Sequence, residues 1–257
     1  MRRYVILLLL FCLGCSLAGR AQSGGDREQF SYSVFYNWGI VWINGGMLQL
    51  SSVPDTLDGQ PLVRLKGMGV SSPKWSWLFK LEDHYETWSK PGSFLPVKSE
   101  KKTLEGGYFV HNKYFFNYDD STVYIQTRES KKPLSFDTLN LNQQLFDAQS
   151  AAGYLRLMDI SGFQPGDTIV LNILMDGEVI EQRIEFGGKQ ILTDEHGNSY
   201  PVIKYTAVVT NSTLFSAADA INVWVSDDKH RIPLYIEAKI SVGTIKVFYN
   251  GIRLEEG

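Results

Sequence analysis

The chain has 257 residues, with 25 Lys+Arg against 28 Asp+Glu and a net charge of −3. Its basic residues form no block beyond the pairs Arg2-Arg3, Lys101-Lys102 and Lys131-Lys132, so the concentrated positive stripe that a nucleic-acid surface needs is missing. Its two cysteines, Cys12 and Cys15, stand close together near the N-terminus, which leaves everything after them without a disulfide, a thiol nucleophile or a thiolate metal site.

The first 21 residues have the three parts of a secretory signal peptide. Arg2 and Arg3 are followed by an apolar run from Tyr4 to Leu13, then by small residues ending Ala18-Gly19-Arg20-Ala21. The run is too short to span a membrane. The expectation is an exported protein, periplasmic or associated with the outer envelope, soluble after cleavage near Ala21. Losing Arg2, Arg3 and Arg20 would leave 22 basic against 28 acidic residues, a net charge of −6. The competing reading is a lipoprotein modified at Cys15, but Cys12-Leu13-Gly14 lacks the leucine usual three positions before such a cysteine.

Residues 22–28 are polar and glycine-containing and read as a flexible lead-in. Strands then dominate. Phe30, Tyr32, Val34 and Tyr36 alternate with Ser31, Ser33 and Phe35. Ile180, Ile184 and Phe186 oppose Glu181, Arg183 and Glu185, and Ile232, Leu234, Ile236, Ala238 and Ile240 oppose Tyr235, Glu237 and Lys239. Such alternation fits antiparallel sheets with one face on a core and one in water. Asn44-Gly45, Asp58-Gly59, Asp176-Gly177 and Asn250-Gly251 suit turns with positive φ, and Asp176-Gly177 predicts a hairpin between 169–175 and 179–186. Gly106-Gly107 and Gly187-Gly188 mark further corners. Counting runs gives roughly eleven or twelve strands.

Two segments read as helical. Lys74–Lys80 is short, and Asn142–Met158 places Leu145, Ala148, Ala152, Leu155 and Met158 on one stripe. Gly162, Pro165 and Gly166 stop its continuation. The fold expected is mostly β: a large curved antiparallel sheet, half-barrel-like, with one or two helices packed on it. Residues 29–257 form one β-rich domain, divisible into halves 29–130 and 141–257.

No catalytic signature emerges. His84, His111, His196 and His230 show no metal-ligand spacing, and there is neither a nucleophile elbow nor a phosphate-cradling glycine loop. Asp227, Asp228, His230 and Arg231 are the densest polar cluster. They read either as a carboxylate pair with an acid/base group or as a hairpin turn, and Ser-Asp-Asp-Lys is good turn chemistry. Asp147 and Ser150 share a helix face, while Arg156 lies about 180° away. They read as a ligand-headgroup anchor or as ties between helix and sheet. Trp38, Trp42, Trp75, Trp77 and Trp88 crowd into one third of the chain, and Tyr114 and Phe116 share a strand face with Tyr108 and Tyr118. Lining a concave sheet, they would receive an apolar ligand. The alternative is a large aromatic core.

Three stretches carry a family resemblance. Tyr32-Ser33-Val34-Phe35-Tyr36 runs through Asn44-Gly45-Gly46 to Leu48-Gln49-Leu50. Asp147-Ala148-Gln149-Ser150-Ala151-Ala152-Gly153-Tyr154-Leu155-Arg156 follows, and then Val223-Trp224-Val225-Ser226-Asp227-Asp228-Lys229-His230-Arg231-Ile232-Pro233, continuing to Gly243-Thr244-Ile245-Lys246. Together they resemble a family of exported bacterial proteins, domain of unknown function 3108. The resemblance implies no activity, substrate or cofactor. Its motif polar residues fall on Asp147, Ser150, Arg156, Asp227, Asp228 and Arg231. By fold-level analogy it implies an architecture similar to periplasmic lipoprotein carriers.

The reading is therefore a non-enzymatic envelope protein without cofactor, metal or nucleic acid. It is a binding or carrier module for a lipid-like ligand, or else an interaction protein with a filled core.

Overall fold

The computed structural model describes residues 27–74, 80–194, 196–208, 220–240 and 242–250. The expected signal peptide lies outside the described residues, as does the expected Lys74–Lys80 helix but for its two end residues, and with it Trp75 and Trp77.

The chain first meanders through β1 (Glu28–Trp38), β2 (Val41–Leu57), β3 (Gln60–Ser71), β4 (Leu81–Ser89), β5 (Pro96–Glu105), β6 (Tyr108–Asn117), β7 (Thr122–Glu129) and β8 (Ser135–Asn140). It then makes a two-residue strand, β9 (Leu145–Phe146), and helix α1 (Ala148–Leu157). A second meander follows: β10 (Thr168–Met175), β11 (Glu178–Thr193), β12 (Ser199–Val208), β13 (Ala220–Ser226), β14 (Pro233–Lys239) and β15 (Thr244–Tyr249). All fifteen strands form one sheet, in the order β8-β7-β6-β5-β4-β3-β2-β1-β15-β14-β13-β12-β11-β10-β9. The last strand pairs with the first, Val34 opposite Val247, and this joins the two halves. Neighbours are antiparallel except β9 on β10. The sheet ends at β8 and β9, which do not pair, so it is a curved half-barrel and not a closed one.

The count of fifteen corrects the eleven or twelve expected. In β5 the buried positions after Pro96 are Ser99, Lys101 and Thr103, so apolar alternation gives no signal there. β8 is exposed at nearly every position. The Asp176-Gly177 hairpin forms as expected, with φ of 51° and 86° and Leu174 opposite Val179. Asn44-Gly45, read as a turn, instead lies inside β2, where β2 bulges: Val34 pairs with Gly46 and Phe35 with Asn44, leaving Gly45 as the extra residue. Gly46 beside it permits a close approach of β3, since a Cβ there would lie 2.1 Å from the Val70 carbonyl oxygen.

The helix begins at Ala148, not Asn142. Leu145 and Phe146 pair with β10, and Asp147 caps the helix through its side chain, which accepts from the Gln149 and Ser150 amides. The Ser150 hydroxyl accepts from the Asp147 amide in return, which completes a capping box. The buried face of α1 is made of small residues: Ala148, Ala151, Ala152 and Gly153, with Leu155. It lies against β3, β4, β9 and β10 on the inner face. There it meets Tyr32, Leu50, Leu65, Ile173, Ile203, Ile221 and Ile236 in one continuous core.

Gly153 sets how close the helix comes. A Cβ there would sit 2.4 Å from Cδ1 of Phe94, a ring with no solvent exposure. Gly153→Ala gains about 1 kcal/mol of helix propensity. Overpacking against an immobile ring costs about 1–3 kcal/mol. We therefore expect a net loss in urea unfolding. An alanine variant more stable than the parent would show that the helix does not sit here.

Candidate functional site

The inner face changes character along its length. Under most of the sheet it is apolar. Where β4, β5 and β6 face the N-terminus of α1 it is polar: Asp83, Thr87, Ser99, Lys101, Thr103, Asn112, Asp147 and Gln149 are all buried. Strand alternation points these side chains inward. The β10–β11 turn closes over them with Asp176. Lys101 Nζ lies 2.7 Å from Asp176 Oδ1, and Asn112 Nδ2 donates to the same oxygen at 3.1 Å. The open sheet is thus bridged side chain to side chain, not by a ladder.

The helix N-terminus joins the same cluster. The Thr87 hydroxyl donates to Asp147 Oδ2 (2.7 Å). The Gln149 amide is satisfied when its nitrogen donates to the Leu65 carbonyl and Thr87 Oγ1, both 3.2 Å, and its oxygen accepts from the Gly67 amide (2.8 Å). Burial raises the Asp147 carboxyl above its usual range, against the donations from Ser150 and Thr87.

Asp83 stands apart. It has no solvent exposure. Burial, then repulsion from Glu105, pushes its carboxyl up to about 7, with Lys101 and the Leu104 backbone amide opposing. The Tyr85 hydroxyl is buried without a hydrogen-bond partner among the described residues, and burial raises the phenols of Tyr85 and Tyr114. The cavity between Tyr85, Lys101, Tyr114, Asp147 and Asp176 measures about 20 Å³. That is room for about one water, whereas drug-sized ligands occupy roughly 300 Å³ or more. Among the described residues no three His, Cys, Asp or Glu side chains are grouped to hold a metal.

At the other end of α1 the remaining motif residues meet. Arg156, its side chain 1% exposed, donates from Nε to the His230 carbonyl (2.7 Å) and from Nη1 to Glu28 Oε2 (3.3 Å). Arg231 Nη1 donates to the carbonyls of Met158 (2.6 Å) and Leu155 (3.3 Å), the last carbonyls of the helix. Asp228 lies in the β13–β14 turn, where its Oδ1 accepts from the His230 and Arg231 amides and the Ser226 hydroxyl. Asp227 pairs with Lys189 (2.8 Å). Asp147 and Ser150 cap one end of the helix, Arg156 and Arg231 hold the other, and Asp228 shapes the turn that presents Arg231.

The described tryptophans do not gather on the inner face. Trp42 lies outside, in a cross-strand row: Trp42–Phe35 (6.2 Å between centroids), Phe35–Phe248 (5.7 Å), Phe248–Tyr235 (5.1 Å) and Tyr235–Trp224 (5.0 Å). Lys246 caps the Trp42 ring at 4.7 Å and Lys204 the Trp224 ring at 5.3 Å. Trp88 is also outside, donating to Asp55 Oδ2 (3.0 Å) under the Lys98 ammonium (4.5 Å). Trp38 is exposed at the β1–β2 turn. Among the described predicted aromatics, Tyr114 and Phe116 face inward, packed with Val123, Ile125, Leu145 and Leu174, with Tyr118 against the same cluster. The larger concavity, about 490 Å³, is on the outer face, where Gln49, Lys66, His84, Glu86, Glu100 and Lys102 make its wall polar.

Asp83, Lys101, Asn112 and Asp176 are site residues that the sequence reading missed. The available signal was parity: in strands whose alternate residues face a core, polar side chains occupy the core-facing positions.

Comparison with known proteins places this arrangement. A solved β-barrel-like protein of domain of unknown function DUF1849 from Brucella abortus is similar in fold, with a TM-score of 0.58 at 10% identity over 89% of this chain and 97% of that one. A DUF1329 family protein from Desulfovibrio piger ATCC 29098 matches at a TM-score of 0.29 and 9% identity, over 98% of this chain and 94% of that one. No curated protein matches the sequence. The profile of a family described as protein of unknown function (DUF3108) covers residues 31–249, which include the whole sheet but its first three residues, and α1. The chain belongs to the DUF3108 family.

Proposed function

We propose that the chain is a non-enzymatic binding module of the cell envelope that engages its partner with its exterior. The observation that carries this is the filled inner face. Among the described residues helix α1 covers the apolar part, the polar cluster closes the rest, and the cavity between cluster and helix measures about 20 Å³. The signal-like pattern of residues 1–21 supports an envelope location. The polar cluster supports a structural role over catalysis, because its contacts tie the helix and the β10–β11 turn to the sheet and the cavity beside them has room for about one water.

A second reading, an acyl chain held beneath α1, has one observation in its favour. The helix meets the sheet mainly through alanines and a glycine, and the sheet is open between β8 and β9. Displacing α1 would bare an apolar trough. Native mass spectrometry of residues 22–257, followed by organic extraction, separates the two. The whole sheet and α1 lie within 28–249, so this chain carries the fold. We expect a ligand-free mass. A stoichiometric lipid in the organic phase overturns the exterior reading in favour of the trough.

A further inference from the structure

We propose that the rim formed by the β1–β2 and β14–β15 turns inserts into an anionic lipid surface, with Ile40 leading; this rests on the reading that the exterior is the binding surface. The β1–β2 turn is Trp38-Gly39-Ile40-Val41. Turns are normally built from polar residues and glycine, because their side chains face water and bond the local backbone. Here Ile40 is 98% exposed, Trp38 61% and Val41 46%. The adjoining β14–β15 turn adds Val242 at 55%. The Tyr36 hydroxyl donates to the Val242 carbonyl (2.8 Å), and a Cβ on Gly243 would lie 2.4 Å from the Asn37 carbonyl oxygen. The two turns therefore form one apolar projection. Nothing in the fold calls for β-branched residues here.

Its shape and charge point to a lipid surface over a protein. The projection is convex, so a protein partner would need a matching pocket, whereas the boundary between headgroups and acyl chains accepts a protruding tip in any rotation. Tryptophan is the side chain that settles there, ring inward and N–H toward the headgroups. One positive charge stands a row behind. Lys239 pairs with Thr244, which pairs with Asn37, so exposed Lys239 is level with the base of the tip. Neither turn, nor the adjoining paired positions Asn37, Trp42 and Thr244, carries a carboxylate among the described residues. A chain with net charge −3 thus presents a lysine and no described carboxylate at this rim, as attraction to anionic headgroups requires.

Flotation of residues 22–257 with vesicles of phosphatidylethanolamine and phosphatidylglycerol tests this. We expect co-flotation, weakened in phosphatidylcholine alone. Ile40→Asp should lower binding by about tenfold or more, the loss when an inserted isoleucine becomes a charge. Since Ile40 is fully exposed, this variant keeps its fold, which circular dichroism verifies. Phe136→Asp, an exposed aromatic on edge strand β8, should leave binding unchanged. A wild-type chain that stays at the bottom overturns the proposal. So does an Ile40→Asp variant that floats as well as wild type, or an equal loss in Phe136→Asp. If a photo-crosslinker at Trp38 captures an envelope protein while vesicles are ignored, the lipid assignment falls and the exterior reading stands. If vesicles bind but an interior lipid is extracted, the exterior reading falls and the rim contact stands.

Discussion

Asp83→Asn will leave stability nearly unchanged at pH 4 and raise it by about 4 kcal/mol at pH 8. The carboxyl is fully buried and is pushed from 3.8 to about 7 by burial and by Glu105, which outweigh Lys101 and the Leu104 amide. Below its unfolded value it is protonated in both states and nothing is lost. As pH rises toward 7 the unfolded chain releases the proton while the folded one keeps it, so folding takes up a proton and stability falls. Above 7 both states are ionised and the penalty is constant. Asparagine keeps the shape without the charge. Burial raises Asp147 too, and its contribution has the same sign, but it is common to both chains. The quantity to measure is therefore the difference between their urea midpoints across this range. Parallel profiles would mean that Asp83 is solvated or paired.

This cluster also marks the limit of what the sequence revealed. The alternation in β1, β11 and β14, the Asp176-Gly177 turn and the small-residue helix are local patterns, each written within about fifteen residues. They sufficed for a curved antiparallel sheet with a helix on it. The motif polar residues were visible as a group, but their separation into two ends of one helix depended on the β13–β14 turn reaching the helix from 74 residues away. The polar cluster is more distant still from local pattern: Lys101 meets Asp176 across 75 residues and Asn112 meets it across 64. Sidedness was the other obstacle. Parity divides a strand into two faces without saying which is inside, and here both carry aromatics: Phe30 and Tyr32 inward, Phe35 and Trp42 outward. The outer row forms only when five strands come into register, so the tryptophans looked like a lining.

Arg156→Met should cost about 3 kcal/mol or more, the larger of the two effects expected at the ends of the helix. The side chain is buried and binds two groups of different origin, the His230 carbonyl from the β13–β14 turn and the Glu28 carboxylate from the start of β1. Methionine fills similar length but leaves that carbonyl without its donor and Glu28 without its cation. Glu28→Gln in the same chain should restore part of the loss, since removing the second charge ends the penalty of leaving it unpaired, and the cycle isolates the pair. Arg231→Ala, which withdraws one donor from the helix's last carbonyls, should cost less, about 1–2 kcal/mol. Urea unfolding at pH 7 ranks the three variants, and a loss under about 1 kcal/mol in Arg156→Met would mean that the latch is not closed in solution. The same variant bears on function. α1 meets the sheet through small side chains, so its position depends on the polar ties at its two ends. If the inner face is a filled core, loosening one tie lowers stability and nothing else. If it is a trough, the native Arg156→Met protein will bind a fluorescent fatty acid that the wild type excludes. A saturable signal below the unfolding transition would return the apolar ligand to the interior.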